Sequence, residues 1–398
     1  MITDYERLAT GRDTSLFAPD MVTCGDETRD LLRGARVAVV GAAGSIGSAV
    51  VKILAEYDIS DLVLFDLSEN NLVELVRDLR STDGMRLPNR FATLPIGMGS
   101  VEFSRYFAEQ PPFDYFLNLA AIKHVRSEKD VYCLARMVDT NVVFLHDFLK
   151  NNPYRFRKAF SVSSDKAANP ANLMGASKMA MEVALLAESD RQPFSTARFA
   201  NVAFSDGSLP HGFLRRMEKQ QPLSAPSDVR RYFISHREAG ELCIMAAILG
   251  ENREVFFPNL QSGSDEKTFS QIALDLLEHV GYEPVLCDSE EEARQRTTEL
   301  IPQQKWPCYF FETDTTGEKA FEEFFVDGED VDLGRYANLG VIRRQATADP
   351  GSARRFLAFA EKAKANAQVT KADYVRALQA LVPTLHHEET GRNLDQKM

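Results

Sequence analysis

Cysteine is scarce in this chain and forms no recognisable pattern. The five cysteines, Cys24, Cys133, Cys243, Cys287 and Cys308, are spread over 398 residues without a CxxC pair. Disulfide frameworks are typical of small secreted domains, and zinc centres use closely spaced cysteines. The spacing therefore argues against a disulfide scaffold, predicts no metal site and favours a reducing compartment.

Long apolar runs and an excess of positive charge are also missing. No run approaches the roughly 18 residues that a membrane-spanning helix needs, and the first residues, MITDYERLATGRD, are too polar for a signal peptide. The formal net charge is −12, whereas a nucleic-acid-binding protein needs a basic face. We therefore expect a soluble cytoplasmic protein without membrane insertion and without a nucleic-acid partner.

What the sequence contains instead is an alternation of short apolar strands with helices. Continuous apolar runs occur in RVAVVG (36–41), DLVLFD (61–66), FDYFLNLAA (113–121) and KAFSVSS (158–164). Buried strands that alternate with helices indicate a parallel sheet covered on both faces. The prediction is an α/β fold with a Rossmann-type doubly wound parallel sheet, a smaller α/β substrate-binding domain and a helical C-terminal extension.

These patterns divide the chain into four parts. Residues 1–34 are predicted to be an N-terminal extension, and residues 35–204, completed by 233–258, the Rossmann domain. Residues 205–232 and 259–335 are assigned to the smaller domain, because the alternation loosens there. Residues 336–398 are the predicted helical extension, in which Thr370 is the N-cap of a helix that Pro383 ends.

The stretch GAAGSIG (41–47) stands between the first strand and the first long helix, where a dinucleotide loop belongs. Gly41, Gly44 and Gly47 allow a tight turn, the close approach of a pyrophosphate and close packing of helix on strand. Asp66 ends the next strand, and a carboxylate there favours NAD over NADP because it binds the ribose hydroxyl and repels a 2′-phosphate. The alternative is a glycine-rich turn in another α/β protein, but the GxxGxxG spacing favours the short-chain dehydrogenase version of the fold.

Several motifs, taken in their order, resemble one known group. They are GAAGSIGS, LFDLSENNL, AAIKHV, TNV, SSDKAANPANLMGASK, RFANV, RRYF and TGEKAFEE. The group is the nucleotide-sugar 4,6-dehydratases of bacterial polysaccharide biosynthesis, an extended branch of the short-chain dehydrogenases. The resemblance runs from about 35 to 325 and includes Met174, which stands four residues before Lys178 where most short-chain dehydrogenases carry a proton-transferring tyrosine.

The resemblance implies a reaction and its ligands. The substrate would be a UDP-linked N-acetylhexosamine, most simply UDP-N-acetylglucosamine. The product would be a 4-keto-6-deoxy sugar for surface-glycan or nonulosonic-acid synthesis, with the C5 configuration retained. NAD would be tightly bound and recycled in each turnover. The resemblance also implies a homo-oligomer, for which helices 128–150 and 173–189 could form a dimer bundle.

The resemblance further implies roles for individual residues. Asp165 and Lys166 would carry out the elimination, Ser164 would hold the C4 hydroxyl, and Lys178 would bind the nicotinamide ribose. Which group replaces the tyrosine as the base at O4 stays open between Lys166, acting through the substrate, and a water. The implied catalytic set is Ser164, Asp165, Lys166, Met174 and Lys178. The implied cofactor contacts are Gly41, Gly44, Ser45, Ile46, Gly47, Asp66, Leu67, Ala120, Ala121 and Lys178. The implied substrate contacts are Lys123, Asn201, Ser208, Arg231 and Glu318.

Two other functions are compatible with the same residues. A nucleotide-sugar epimerase would use the same oxidation without elimination, although epimerases typically lack the Asp-Lys pair. A non-catalytic NAD-binding regulatory protein would carry Met174 as a core residue and leave sugar nucleotides unchanged. Because Asp165, Lys166 and Lys178 all remain, an active enzyme is favoured.

Overall fold

A computed structural model of the chain describes residues 2–260, 265–313, 323–346 and 349–387. The strands in these residues are β1 (Arg36–Val40), β2 (Asp61–Phe65), β3 (Arg90–Leu94), β4 (Tyr115–Asn118), β5 (Lys158–Ser164), β6 (Phe194–Phe199), β7 (Asn201–Val202), β8 (Leu223–Pro226), β9 (Arg230–Ile234), β10 (Glu254–Pro258), β11 (Glu266–Thr268), β12 (Glu283–Leu286), β13 (Lys305–Phe311), β14 (Asp330–Asp332) and β15 (Leu339–Arg343). The α-helices are α1 (Asp4–Thr10), α2 (Ala18–Thr23), α3 (Gly25–Leu32), α4 (Ser45–Leu54), α5 (Glu69–Ser81), α6 (Val101–Glu109), α7 (Val131–Val138), α8 (Phe144–Asn151), α9 (Leu173–Ala187), α10 (Leu209–Glu218), α11 (His236–Ile244), α12 (Phe269–His279), α13 (Glu290–Gln295), α14 (Thr297–Leu300), α15 (Pro350–Lys364) and α16 (Lys371–Leu381).

The largest element is a nine-stranded sheet with the order β14-β15-β10-β6-β5-β4-β1-β2-β3. The strands from β3 to β10 pair in parallel, whereas β15 and β14 are antiparallel additions at one edge. In this order, successive strands are added towards one edge from β1 to β3 and towards the other edge from β4 onwards, as in a doubly wound α/β sheet. Ligands of such sheets bind at the carboxyl ends of the strands where this change occurs. The predicted fold class is confirmed.

The sheet is buried on both faces because its strands are apolar at successive positions. Val37 and Val39 of β1 belong to one core and Ala38 and Val40 to the other, since neighbouring strand residues point to opposite faces. Every residue of β2 is likewise buried. Helices cover both faces, and the strand ends are left to form a site.

A second lobe is built on two small sheets, β12-β13-β8 and β11-β9-β7. Its core contains Phe213 of α10, Trp306 of β13 and the apolar face of α12. Ala9 of α1 joins this core, so the N-terminal residues contact the second lobe as well as the main one.

The last two helices form a hairpin against the main lobe. α15 and α16 both contact α7 and α9, and Phe356 and Leu378 are buried in the same core as the apolar side chains of α9. Almost all of α9 is buried as a result. The hairpin thus covers, within one chain, part of the helices 128–150 and 173–189 that could have formed a dimer bundle. A homo-oligomer stays a prediction.

The structure differs from the sequence-based expectation at residues 336–346. This part was assigned to a helical extension, but it contains β15, which pairs with β10 of the main sheet. Leu339, Val341 and Ile342 are fully buried, and Gly340 lies against the Phe257 ring, where any side chain would overlap with it. The helices begin only at Pro350, and the remaining division into domains stays a prediction.

A capping box does begin α16 at Thr370, as expected. Within the described ranges, none of the helices combines the length and the apolar character that crossing a membrane requires.

Candidate active site

The glycine loop leaves β1 and enters α4 at the carboxyl end of the sheet. Gly41 has a φ of 73°, and a side chain there would come within 2.5 Å of the Ala120 backbone nitrogen. A side chain on Gly47 would overlap with the Gly41 carbonyl oxygen. Gly44 is different, because the nearest atom to a Cβ there would be 3.6 Å away. Gly41 and Gly47 are therefore required by the fold, whereas Gly44 leaves open space for a ligand.

The same loop offers hydrogen-bond donors to an anion. Gly44 is the N-cap of α4 and supplies no side-chain cap. The first amide groups of α4, from Ser45 to Gly47, are those that lack an acceptor within the helix. A helix N-terminus of this kind binds phosphate, so the loop fits the pyrophosphate of a dinucleotide.

The end of β2 lies beside this loop. The Asp66 carboxylate accepts the N–H groups of Ala43 at 3.0 Å and Ser68 at 2.9 Å. These bonds fix the carboxylate at the position where a ribose would lie, and its remaining lone pairs can accept ribose hydroxyls. Leu67 is 70% exposed, which is unusual for a leucine and provides an apolar surface for a base. Ala121, next to Ala120, is half-buried on the other side of the loop.

Ser164, Asp165 and Lys166 come together where β5 ends. Asp165 Oδ1 accepts three hydrogen bonds, from Ser164 Oγ at 2.9 Å, the Lys166 N–H at 2.8 Å and Lys166 Nζ at 3.1 Å. The Asp165 side chain is only 4% exposed and that of Lys166 19%. In the described residues Asp165 Oδ2 makes no hydrogen bond. One oxygen is thus held in place and the other is available to a ligand.

Met174 and Lys178 follow one turn apart on α9. Met174 is buried, and its N–H donates to Glu128 Oε1 at 2.8 Å. Lys178 Nζ donates to the Val162 carbonyl oxygen of β5 at 2.9 Å. Burial lowers the pKa of Lys178 from its ordinary value near 10.5 to about 8, although the Glu182 carboxylate raises it in part. A substantial neutral fraction of Lys178 therefore exists near pH 8.

A buried asparagine ties these parts together. Asn141 lies in a wider helical turn between α7 and α8. Its side chain accepts the Ile122 N–H at 2.9 Å and donates to the Ile122 carbonyl at 3.0 Å and to Ser177 Oγ at 2.9 Å. The loop after β4 is thereby fixed to α9. Asn141 stands in the TNV motif, but the sequence analysis assigned no role to it. The sequence analysis also missed Glu128, because nothing in the sequence relates Glu128 to Met174.

Lys123 and His124 lie on this loop after β4. Both side chains are accessible to water but have much protein around them. Desolvation therefore lowers the pKa of Lys123, with the Asp206 carboxylate opposing it. Desolvation and the cations Lys123 and Arg126 lower the pKa of His124. The His124 ring rests against Gly207, where a Cβ would lie 2.8 Å from its Nε2. The loops after β4 and β7 therefore meet here.

The predicted substrate contacts lie on the second lobe and at its border. Asn201 is in β7, and its Nδ2 is buried without a hydrogen-bond partner in the described structure. Ser208 is the N-cap of α10 and accepts the His211 N–H. Arg231 is buried in β9 and donates to the Arg230 carbonyl. Glu318 lies outside the described residues.

A buried ion cluster lies behind Lys178. Glu182 accepts hydrogen bonds from Ser163 Oγ at 2.6 Å and from Arg198, whose guanidinium is fully buried and also binds Glu329. Burial alone would raise the pKa of Glu182, but Arg198 outweighs it and holds that pKa below its usual range. Sequence reasoning missed this cluster, because no periodicity relates its members.

Several known proteins are similar to this chain in sequence. The "Probable polysaccharide biosynthesis protein EpsC" of Bacillus subtilis is 27% identical over 307 residues, which are 76% of this chain and 47% of EpsC. The chain thus spans about half of that relative's length. A "UDP-N-acetylglucosamine 4,6-dehydratase (inverting)" of Campylobacter jejuni is 24% identical over 58% of this chain and 69% of its own. A "UDP-glucose 4-epimerase" of Rickettsia bellii is 24% identical over 55% and 64%.

Solved structures share the fold. The X-ray structure of Pen from Bacillus thuringiensis superposes with a TM-score of 0.63 and 20% identity, and covers 80% of this chain and 90% of its own. Residues 37–342 match the family described as "Polysaccharide biosynthesis protein". With that match, a doubly wound sheet and relatives that act on nucleotide sugars, the chain belongs to the polysaccharide biosynthesis protein family of the extended short-chain dehydrogenases.

Proposed function

We propose that this chain is an NAD-dependent nucleotide-sugar 4,6-dehydratase. Its substrate is a UDP-linked N-acetylhexosamine, most simply UDP-N-acetylglucosamine, and its product a 4-keto-6-deoxy sugar with retained C5 configuration for surface-glycan or nonulosonic-acid synthesis. The observation that carries the proposal is the contact between Asp165 and Lys166, next to Ser164. The reaction needs an acid and a base at adjacent carbons, and this pair supplies both.

The cofactor site is the glycine loop with Asp66. The open space at Gly44 and the free amide groups at the start of α4 fit a pyrophosphate, and the carboxylate of Asp66 fits a ribose without a 2′-phosphate. The glycine loop and Asp66 would hold NAD, which would supply a reversible hydride acceptor for the oxidation at C4 and would be recycled in each turnover.

Asp165 and Lys166 then carry out the elimination. Oxidation at C4 makes the C5 proton acidic, and neutral Lys166 removes it. Protonated Asp165 donates a proton from Oδ2 to the C6 hydroxyl, which leaves as water. The pair holds one shared proton, and the reactive form is the minor tautomer of its ion pair.

Lys178 and Ser164 act at C4. Ser164 Oγ, at the end of β5, holds the C4 hydroxyl, and the Lys178 ammonium binds the nicotinamide ribose and favours loss of the nearby O4 proton. Met174 exchanges no proton, so this proton leaves through Lys166 or through a bound water. Because Met174 is buried and Lys178 is held by Val162, both help to shape the site.

The nucleotide lies towards the second lobe. Asn201 Nδ2 is a buried donor without an acceptor in the described parts of the chain, which is costly unless a ligand supplies one. Lys123 is an accessible cation on the opposite loop, and Arg231 offers a guanidinium suited to a diphosphate. With Ser208 and Glu318 these residues are the proposed substrate contacts.

The second candidate is a nucleotide-sugar 4-epimerase, which the relative in Rickettsia bellii supports. An epimerase oxidises C4 in the same way but loses no water, so it has no use for a paired acid and base at C5 and C6. The hydrogen-bonded Asp165–Lys166 pair therefore favours the dehydratase.

The test is proton NMR of the purified protein with UDP-N-acetylglucosamine in D₂O. A new C6 methyl signal, with deuterium at C5, establishes dehydration, and the ring couplings report the C5 configuration. Inversion at C4 without a methyl signal establishes the epimerase. Lys166→Ala and Asp165→Asn should abolish the methyl signal and leave NAD binding unchanged, whereas Lys219→Ala, at an exposed lysine of the second lobe, is the matched control and should keep it. Near-normal dehydration by both pair variants would show that the catalytic assignment is wrong.

A further inference from the structure

Helix α1 lies outside the region that matches the family, which begins at residue 37, yet it is attached to the site. Ala9 is buried in the core of the second lobe with Phe213 and Trp306. The Leu8 carbonyl accepts a hydrogen bond from Lys267 Nζ at 2.7 Å. The helix is therefore part of the folded second lobe.

Both ends of α1 are fixed by buried charged groups. Glu6 is 4% exposed and accepts the His236 N–H at 2.6 Å, His236 Nδ1 at 2.8 Å and the Thr3 N–H at 2.7 Å. Burial raises the pKa of Glu6, but these hydrogen bonds outweigh it and lower the pKa to about 2. Beyond the helix, Arg12 donates to both carboxylate oxygens of Glu238 at 2.9 Å. The position of α1 is thus well defined.

This position places Tyr5 against residues 203–208, which we call the junction loop. The Tyr5 ring lies 5.8 Å from the ring of Phe204 and 5.8 Å from that of His279. Phe204 has a φ of 53°, a backbone conformation that is strained for a non-glycine residue and persists only when its surroundings hold it. Tyr5 is one of the groups that hold it.

The junction loop contacts three parts of the candidate active site. The Asp206 N–H donates to Ser45 Oγ of the glycine loop at 2.9 Å. Gly207 leaves room for the His124 ring, beside Lys123. Ser208 ends the loop as the N-cap of α10. A displacement of Phe204 would therefore shift residues that contact the glycine loop and residues that belong to the proposed substrate contacts.

We propose that Tyr5 is a positioning residue: through Phe204, α1 holds the junction loop in the conformation that binds the nucleotide sugar and contacts the glycine loop. This inference rests on the proposed function for its catalytic part. Tyr5 touches no reacting atom, so its loss weakens binding more than it slows the chemical steps.

The test compares Tyr5→Ala with two matched variants. Tyr5→Phe keeps the ring, and Val22→Ala removes an 82% exposed side chain from the same N-terminal residues. Loss of one aromatic pair, worth about 0.5–1.5 kcal/mol, corresponds to a rise of about 2- to 12-fold in KM for UDP-N-acetylglucosamine. In Tyr5→Ala we expect this rise in KM, a higher Kd for NAD and little change in kcat. In Tyr5→Phe and Val22→Ala we expect KM and the Kd for NAD to stay as in the wild type.

Hydrogen–deuterium exchange provides a readout that needs no turnover. Amides of residues 203–208 should exchange faster in Tyr5→Ala than in the wild type or in Tyr5→Phe. Unchanged exchange would show that Tyr5 does not hold the junction loop. Faster exchange with unchanged KM and NAD affinity would show that the junction loop does not affect the candidate active site. If the wild type leaves every sugar nucleotide unchanged, the proposed function is wrong. Faster exchange and weaker NAD binding in Tyr5→Ala would still support the positioning role of Tyr5.

Discussion

Replacement of Lys178 by methionine is expected to make the protein more stable and inactive. Lys178 is 4% exposed, and among the described residues its Nζ is held by the Val162 carbonyl and by the charge of Glu182. Its pKa of about 8, against an ordinary value near 10.5, means that the native state holds the charged form at a disadvantage. One pKa unit corresponds to about 1.4 kcal/mol, so below pH 8 the disadvantage is about 3 kcal/mol.

Methionine has nearly the same length and carries no charge, so it removes this disadvantage. It also leaves the Val162 carbonyl without its donor, at a loss of about 1 kcal/mol. At pH 7 we therefore expect Lys178→Met to raise the free energy of unfolding by about 2 kcal/mol. The NMR assay should show no product, because the cation that favours O4 deprotonation is gone.

The pH dependence has a definite sign. Between pH 8 and 10.5 the unfolded lysine binds a proton that the native one has lost, so the wild type gains stability as the pH rises through this window. The advantage of Lys178→Met should therefore shrink and reverse by about pH 10.5. Urea unfolding of both proteins from pH 7 to pH 10.5 measures this difference, in which the other titrating groups cancel.

Lys219→Met serves as the control, because it makes the same chemical change at an exposed lysine. An effect of the substitution itself would appear in both variants. The reasoning is refuted if Lys178→Met is less stable than the wild type at pH 7, or if the difference between them does not change with pH.

Three further changes test other parts of the structure. Met174→Ala should lower the free energy of unfolding by about 2–5 kcal/mol, as for other buried methionines, and keep NMR-detected dehydration; complete loss of turnover in a folded protein would mean that Met174 has a larger role. Gly44→Ala should keep the melting temperature but weaken NAD binding measured by calorimetry, whereas Gly47→Ala should lower the melting temperature, since its Cβ overlaps with the Gly41 carbonyl; equal effects on both properties would contradict the separate roles of the two glycines. Deletion of residues 349–398 should expose apolar side chains of α7 and α9 and cause the protein to self-associate, which light scattering would detect as more chains per particle. The same number of chains per particle with and without the deletion would show that this surface does not drive association.

The main sheet could be predicted from the sequence because its signals are local. The run at 36–41 contains four consecutive apolar residues, from Val37 to Val40, and β5 has the predicted bounds of 158–164. The glycine loop was equally clear, since a strand, a turn and a helix follow each other within a few residues. Local patterns of this kind fix the element and the order, but not the distant partners.

The parts that could not be predicted depend on contacts between distant residues. β15 is a run of five residues with a glycine, and its pairing with β10 and β14 makes it a strand. Glu128, Asn141 and the pair of Glu182 and Arg198 were missed for the same reason, because each is defined by a partner far away in sequence. The residues around Tyr5 give no indication of its contact with Phe204, because that contact forms only when the second lobe is folded.

The C-terminal hairpin also has a consequence for synthesis of the protein. α9 carries Lys178 and lies in the middle of the sequence, but α15 and α16, which cover it, are the last described helices to leave the ribosome. Domains generally begin to fold while the chain is still growing. Here the outer apolar surface of α9 stays uncovered until α15 and α16 have been synthesised, so a chain that stops before them would present it to chaperones and proteases. The packing of the active-site helix thus depends on the synthesis of residues about 170 positions further along the chain.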